Sequence, residues 1–247
     1  MRQFWRGIYP LLIYFAMTVV AVLVMFFFTT DAVTDTLLGA IFTIPVLGYF
    51  LWKDQKMRGK TLLAGGLSLP MLGLTILFGM TACIAVNNLI SISRLGVLFP
   101  GFMEISEELY SPPLWLQFLA LGLVIPVAEE LVFRGLGFAR FRDSQNFWKA
   151  AVVSSLIFGI YHGNVVQFVY AFLLGMMMCW IYEQTGSFLG PVVFHQTANT
   201  LSVAITEFAS ENEAFGSGIS LYLITLASIA MTLLVIREIK RRNTRRD

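Results

Sequence analysis

Two adjacent carboxylates and an arginine, Glu129, Glu130 and Arg134, sit inside the stretch IPVAEELVFRGLGF (125–138), whose other residues are apolar or small. On a helix Glu130 and Arg134 project from one face, with the acid ahead of the base in the better pairing order. Downstream, Phe158 and His162 repeat the four-residue step, as do His195 and Asn199, with Gln196 beside them. His162 and His195 are the only 2 histidines of the chain. Carboxylates, imidazoles and an amide form a set able to activate water and to stabilise an oxyanion. Taken singly, each has a plainer reading: a Glu–Arg pair near a helix end is an interfacial salt bridge, and a lone histidine in a span is a satisfied hydrogen-bonding residue.

The elements that must position these groups belong to a membrane. The 247 residues are 57% hydrophobic and 13% charged, with 22 Phe and 11 Met, whereas roughly a quarter of residues in a soluble domain are charged. Spans of about 20 residues with short loops allow at most about eight or nine helices. The apolar segments are 9–28, 37–52, 62–92 (kinked or frayed near Pro70), 114 to about 138, 147–162, 165–182, 189–206 and 219–236. The first is read as a retained span, because no small-residue cleavage site follows it. The expected fold is an all-α polytopic membrane helix bundle of about eight transmembrane helices. It forms a single integral-membrane domain over 1–247, with a catalytic-type core at about 114–206.

Charge placement sets the orientation. With a cytoplasmic N-terminus, eight spans put all of the 17 basic residues inside except Arg94, which falls outside, and Arg134, which lies within a span. The outward loops carry Asp31, Asp35, Glu104, Glu107, Glu108, Glu207, Glu211 and Glu213 instead. The positive-inside rule predicts this asymmetry in short loops, so both termini are expected to be cytoplasmic. The basic tail REIKRRNTRRD reads as a topology anchor with some attraction to anionic membrane lipid, not as a nucleic-acid site. The acidic stretch MEISEELYSPP reads as a solvated outer loop. Cys83 and Cys179 lie in separate apolar segments and read as small hydrophobes.

An ionisable group buried in hydrocarbon costs at least a few kcal/mol on insertion scales. Three helices bearing such groups should therefore face one cavity, tapered and water-filled. Pro126 removes a backbone hydrogen bond and can bend the fourth segment where Glu129 enters. One tension follows from the topology. His195 starts near the cytoplasmic end of its helix, while His162 ends a helix running roughly 20 Å outward at 1.5 Å per residue. The two meet only if the fifth segment is short and HGN (162–164) bends within the bundle, with the fourth helix continuing to about Phe141.

EELVFR (129–134), FGIYH (158–162) and HQTAN (195–199) together resemble three motifs of the CPBP family, the CAAX proteases and bacteriocin-processing enzymes also called Abi intramembrane proteases. These motifs are glutamate-glutamate-x-x-x-arginine, phenylalanine-x-x-x-histidine and histidine-x-x-x-asparagine. GSFLGPVVFHQTAN (186–199) is similar to the family's run into the last motif, and the resemblance covers roughly the second half of the chain. It implies an intramembrane endopeptidase of the bacterial cell membrane, with a site open to the cytoplasm and a peptide or membrane-protein substrate. Carried over, Glu129 is the general base on water and His162 helps to hold that water. His195 and Asn199 stabilise the oxyanion, and Glu130 with Arg134 orients the site. A divalent metal such as zinc is compatible, with Glu129, His162 and His195 as candidate ligands, although the zinc signature HExxH is absent. Two rival readings remain: a proton-coupled transporter, and a catalytically idle relative acting as an immunity or scaffold protein. The substrate itself, prenylated or not, leaves no mark in the sequence.

Overall fold

The computed structural model describes residues 2–25, 31–59, 66–209 and 218–243. The ends of the first predicted segment (26–28) and the start of the third (62–65) lie outside the described residues, as do Lys60, Glu211, Glu213, Arg245 and Arg246. Among the described residues all regular structure is helical: α1 (Arg2–Met25), α2 (Ala32–Met57), α3 (Leu69–Ser93), α4 (Gly101–Tyr110), α5 (Leu114–Arg142), α6 (Phe147–Tyr161), α7 (Val165–Thr185), α8 (Leu189–Ala209) and α9 (Gly218–Asn243). Five of these, α2, α3, α5, α7 and α9, are long and apolar enough to cross a membrane, and α1 and α6 contain shorter apolar stretches, Ile8–Ala21 and Phe147–Tyr161. The chain is a multi-pass integral membrane protein.

Local chemistry explains most boundaries. Asp31, Asn146 and Asn164 cap α2, α6 and α7, each accepting a hydrogen bond from the backbone N–H three residues on, the preferred use of these side chains. Gly186, at φ 62°, ends α7 in the left-handed conformation. Pro70 lies in the first turn of α3, where its missing N–H costs nothing. The third segment is therefore not kinked there; its helix begins there.

One reading is corrected. The acidic stretch MEISEELYSPP (103–113), read as a solvated outer loop, is helical up to Tyr110 and belongs to α4, an amphipathic helix. Ile105, Leu109 and Tyr110 are partly buried, whereas Glu104, Glu107 and Glu108 face out. Their spacing places the apolar side chains on one face. Gln117 Nε2 anchors the following turn by donating to the carbonyls of Tyr110 and Pro112 at 2.9 and 2.8 Å.

α5 is the centre of the bundle and packs against α1, α2, α6, α7 and α8. It runs without interruption to Arg142, beyond the expected Phe141, but two stretches, Phe118–Val124 and Leu131–Phe138, are wound as π-helix. They flank the α-helical turn Ile125–Glu130 that carries both glutamates. Such wide turns often accompany functional sites.

Ion pairs tie the ends of three helices together and fix their relative direction. Arg140 meets Asp54 at 2.9 Å, and Arg58 meets Asp54 at 2.6 Å and Asp143 at 2.8 Å. Arg142 meets Glu183 at 2.7 Å. The C-terminal ends of α2, α5 and α7 thus share one end of the bundle, and their starts share the other. Asp54 and Arg140 are buried, so Arg140, counted among the basic loop residues, is a partner in a desolvated pair.

Candidate active site

The two glutamates do different things because adjacent positions on a helix point apart. Glu130 turns into the protein: its Oε1 accepts from Arg134 Nη1 at 2.9 Å, and both side chains are fully buried. The Arg134 guanidinium lies 4.3 Å over the Phe158 ring, a cation–π contact that strengthens when water is excluded. Glu129 lies almost as deep, at 6% exposure, but lines a cavity of about 420 Å³.

His195, from α8, connects them. Its Nδ1 is 2.8 Å from Glu130 Oε1 and its Nε2 is 3.7 Å from Glu129 Oε2. A carboxylate can only accept, so Nδ1 carries the proton of that bond and Nε2 is left facing Glu129. The 3.7 Å separation exceeds a direct hydrogen bond.

His162 reaches the same cavity from α6. That helix has 15 residues, about 22 Å, and ends where His162 Nδ1 donates to the Phe158 carbonyl at 2.8 Å. The carbonyl can only accept, which leaves Nε2 of this ring also without the Nδ1 proton. Gly163, at φ 75°, then reverses the chain into α7. At about 22 Å the fifth helix is no shorter than the roughly 20 Å expected, and Gly163 is exposed, so HGN turns at the surface and not within the bundle; His162 and His195 nevertheless line one cavity. The Phe158 ring packs against both imidazoles, at centroid distances of 4.8 Å for His162 and 5.8 Å for His195.

Asn199 also lines the cavity, and its Nδ2 donates to the Leu121 carbonyl at 3.0 Å. The local winding explains why that carbonyl is available. Ile125 N–H donates to the Ala120 carbonyl, five residues back. The next donor in this register is residue 126, a proline without an N–H, and Asn199 supplies the bond to Leu121 in its place. Gln196 Nε2 similarly donates to the Leu123 carbonyl at 2.9 Å. Asn199 keeps a second amide N–H.

All six residues singled out by the sequence thus converge. Glu129, His162, His195 and Asn199 face the cavity, and Glu130 with Arg134 stands behind them. Sequence reasoning missed Tyr161, which lines the cavity and meets Tyr14 of α1 with hydroxyl oxygens 3.3 Å apart. It also missed Ser154, whose hydroxyl donates to the Phe133 carbonyl at 2.8 Å. No four-residue repeat marks either one. Cys83 and Cys179 are buried free thiols, as expected of small hydrophobes.

The donor types suit a divalent metal, and each histidine fixes its Nδ1 on an oxygen, as metal-bound imidazoles do. Among the described residues, however, no three His, Cys, Asp or Glu side chains converge to hold an ion. No step is routed through a metal.

Fold and site together define a membrane protein with a buried carboxylate–histidine cavity. Residues 111–201 match the family model of the Rce1-like group, type II CAAX prenyl endopeptidase Rce1-like. The match bears out, for this segment, the CPBP family read from the three motifs. The chain is 30% identical over 88 residues to "Putative membrane peptidase YdiL" of Bacillus subtilis (strain 168), 36% of either chain. It is 26% identical over 95 residues to "UPF0177 protein YxdF" of Lactococcus lactis subsp. lactis (strain IL1403), 38% of this chain and 52% of that one. It is 28% identical over 109 residues to a 24.3 kDa Escherichia coli protein, 42% of this chain and 50% of that one. The chain thus spans between 36% and 52% of the length of the curated relatives it matches. No solved structure matches it significantly.

Proposed function

We propose that the protein is an intramembrane endopeptidase whose chemistry lies in the core at about 114–206. The observation that carries this reading is His195, held by Glu130 at 2.8 Å and turned toward Glu129 at 3.7 Å on the wall of a cavity shared with His162 and Asn199.

A water between Glu129 and the imidazoles attacks the scissile carbonyl carbon. As the new C–O bond forms, Glu129 takes the water's proton, and the carbonyl electron pair moves onto oxygen. That oxyanion is met by the second N–H of Asn199, beside the His195 ring, whose Nδ1 stays on Glu130. Collapse breaks the C–N bond, and Glu129 returns the proton to the leaving nitrogen. Preformed donors aimed at developing charge supply most of such a rate enhancement. Arg134 holds Glu130 in place through their 2.9 Å pair, so that His195 keeps its orientation.

The proposal includes eight spans with both termini in the cytoplasm, supported by the charge asymmetry, by the five helices long and apolar enough to cross a membrane and by the shorter apolar stretches of α1 and α6. Its test is the set of membrane-associated peptides in cells carrying the wild type and Glu129→Gln. Peptides that appear only with the wild type identify a peptidase and its substrate. An identical set in the two strains leaves the transporter or the idle relative as the function.

A further inference from the structure

The cavity has a direction. Its rim consists of residues near one end of the bundle: Thr36 at the start of α2, Leu109 and Tyr110 of α4, Gln167 at the start of α7 and Ser202 late in α8, all partly exposed. Its floor is Glu129, Phe158, Met178 and His195, all buried. Glu129 is fifteen residues into α5, about 22 Å from its start, so the cavity is a well reaching mid-depth.

Beyond the floor the described residues close the bundle. All eight residues of Leu131–Phe138 are buried, and the buried Glu130–Arg134 pair and the Asp54–Arg140–Arg58 cluster follow toward the opposite end. That closed end is where Lys53, Lys56, Arg142 and Lys149 gather, whereas the open end carries Asp31, Asp35 and the acidic face of α4. By the positive-inside rule the closed, basic end is cytoplasmic.

We propose that the site opens to the non-cytoplasmic side of the membrane and takes an apolar peptide segment presented there. This is opposite to the cytoplasmic opening that the family resemblance implies. The walls above the floor are mainly aliphatic, with Ile105, Leu121, Ile125, Ala171 and Leu174 among them. The volume of about 420 Å³ is within the range in which pockets enclose small ligands, about 300–1,000 Å³. Such walls take an extended apolar stretch by burial and leave the polar floor to act on its backbone. The identification of the ligand as a peptide rests on the peptidase reading; the direction of the opening does not.

Single cysteines at Ser202 on the rim, at Met103 on the exposed face of α4 and at Lys149 on the opposite end test the direction. The native thiols, both fully buried, serve as the blank in the wild type. Intact cells are treated with a membrane-impermeant maleimide, before and after permeabilisation. Ser202→Cys and Met103→Cys should label in intact cells to the level reached after permeabilisation, and Lys149→Cys only after it. The reverse pattern, or labelling of all three only after permeabilisation, overturns the proposal. Met103 lies outside the cavity, so it reports the orientation even where Ser202→Cys fails to accumulate. Maleimide on Ser202→Cys in intact cells should then abolish cleavage of the peptides lost with Glu129→Gln, and unchanged cleavage rejects entry by this mouth. Absence of any such peptides counts against the peptidase and leaves the labelling result standing.

Discussion

Glu130 and Arg134 form a 2.9 Å ion pair in which neither side chain has any exposure. Removing one partner of a fully desolvated pair leaves an uncompensated buried charge and costs on the order of 3–5 kcal/mol. Arg134→Met should therefore lower stability strongly, while Arg134→Met with Glu130→Leu should recover part of the loss, because the second change removes the stranded charge. Thermal unfolding in detergent reads both. Equal stability of wild type and Arg134→Met contradicts a paired, isolated charge.

Glu129 should behave differently, although it is the next residue. Its contact with His195 is 3.7 Å, too long for a direct hydrogen bond, so the fold gains little from its charge. Glu129→Gln keeps the shape and should leave the unfolding temperature near wild type. Cleavage should fall by at least about a hundredfold, the lower end of what a positioned general base contributes. A parallel loss of stability and activity marks Glu129 as structural instead.

The site was legible in the sequence because membrane helices keep each pair in register. Glu130 with Arg134, Phe158 with His162 and His195 with Asn199 are each four residues apart, and polar groups in lipid have little choice but to meet. Contacts between distant segments left no such trace. Asp54 and Arg140 are paired across 86 positions, and nothing in the chain marks Asp54 as anything but a loop acid. The two π-helical stretches were equally hidden, since winding is decided by which carbonyls find partners on other helices. The acidic spelling of α4 concealed three apolar side chains at helical spacing that line the rim and wall of the cavity.

Gly175 of α7 supports the site through what it lacks. A Cβ there lies 2.9 Å from Arg134 Nη2 and 3.1 Å from Ser155 Cβ, closer than a buried guanidinium can yield without moving. Gly175→Ala should push Arg134 off the Phe158 ring and destabilise the protein by about 1–3 kcal/mol, as overpacking does. Activity should drop with it, because Glu130 then loses its fixed position beneath His195. The conservative check is Gly73→Ala, where a Cβ meets nothing within 4 Å; similar losses in the two variants reject a specific clash.

Pro126 is the residue through which the winding of α5 reaches the chemistry. Because it has no N–H to give, the Leu121 carbonyl takes its hydrogen bond from Asn199, and α8 is thereby registered against α5. Pro126→Ala returns a backbone donor that competes for this carbonyl. The helix gains an internal hydrogen bond, worth about 0.5–1.5 kcal/mol net, while Asn199 loses its anchor and one wall of the cavity loosens. Stability should therefore rise or hold while cleavage falls, about tenfold for a lost contact of roughly 1.4 kcal/mol in the transition state. Unfolding temperature and turnover measured on the same preparation separate the effects. A variant that loses both together shows that the proline serves packing alone.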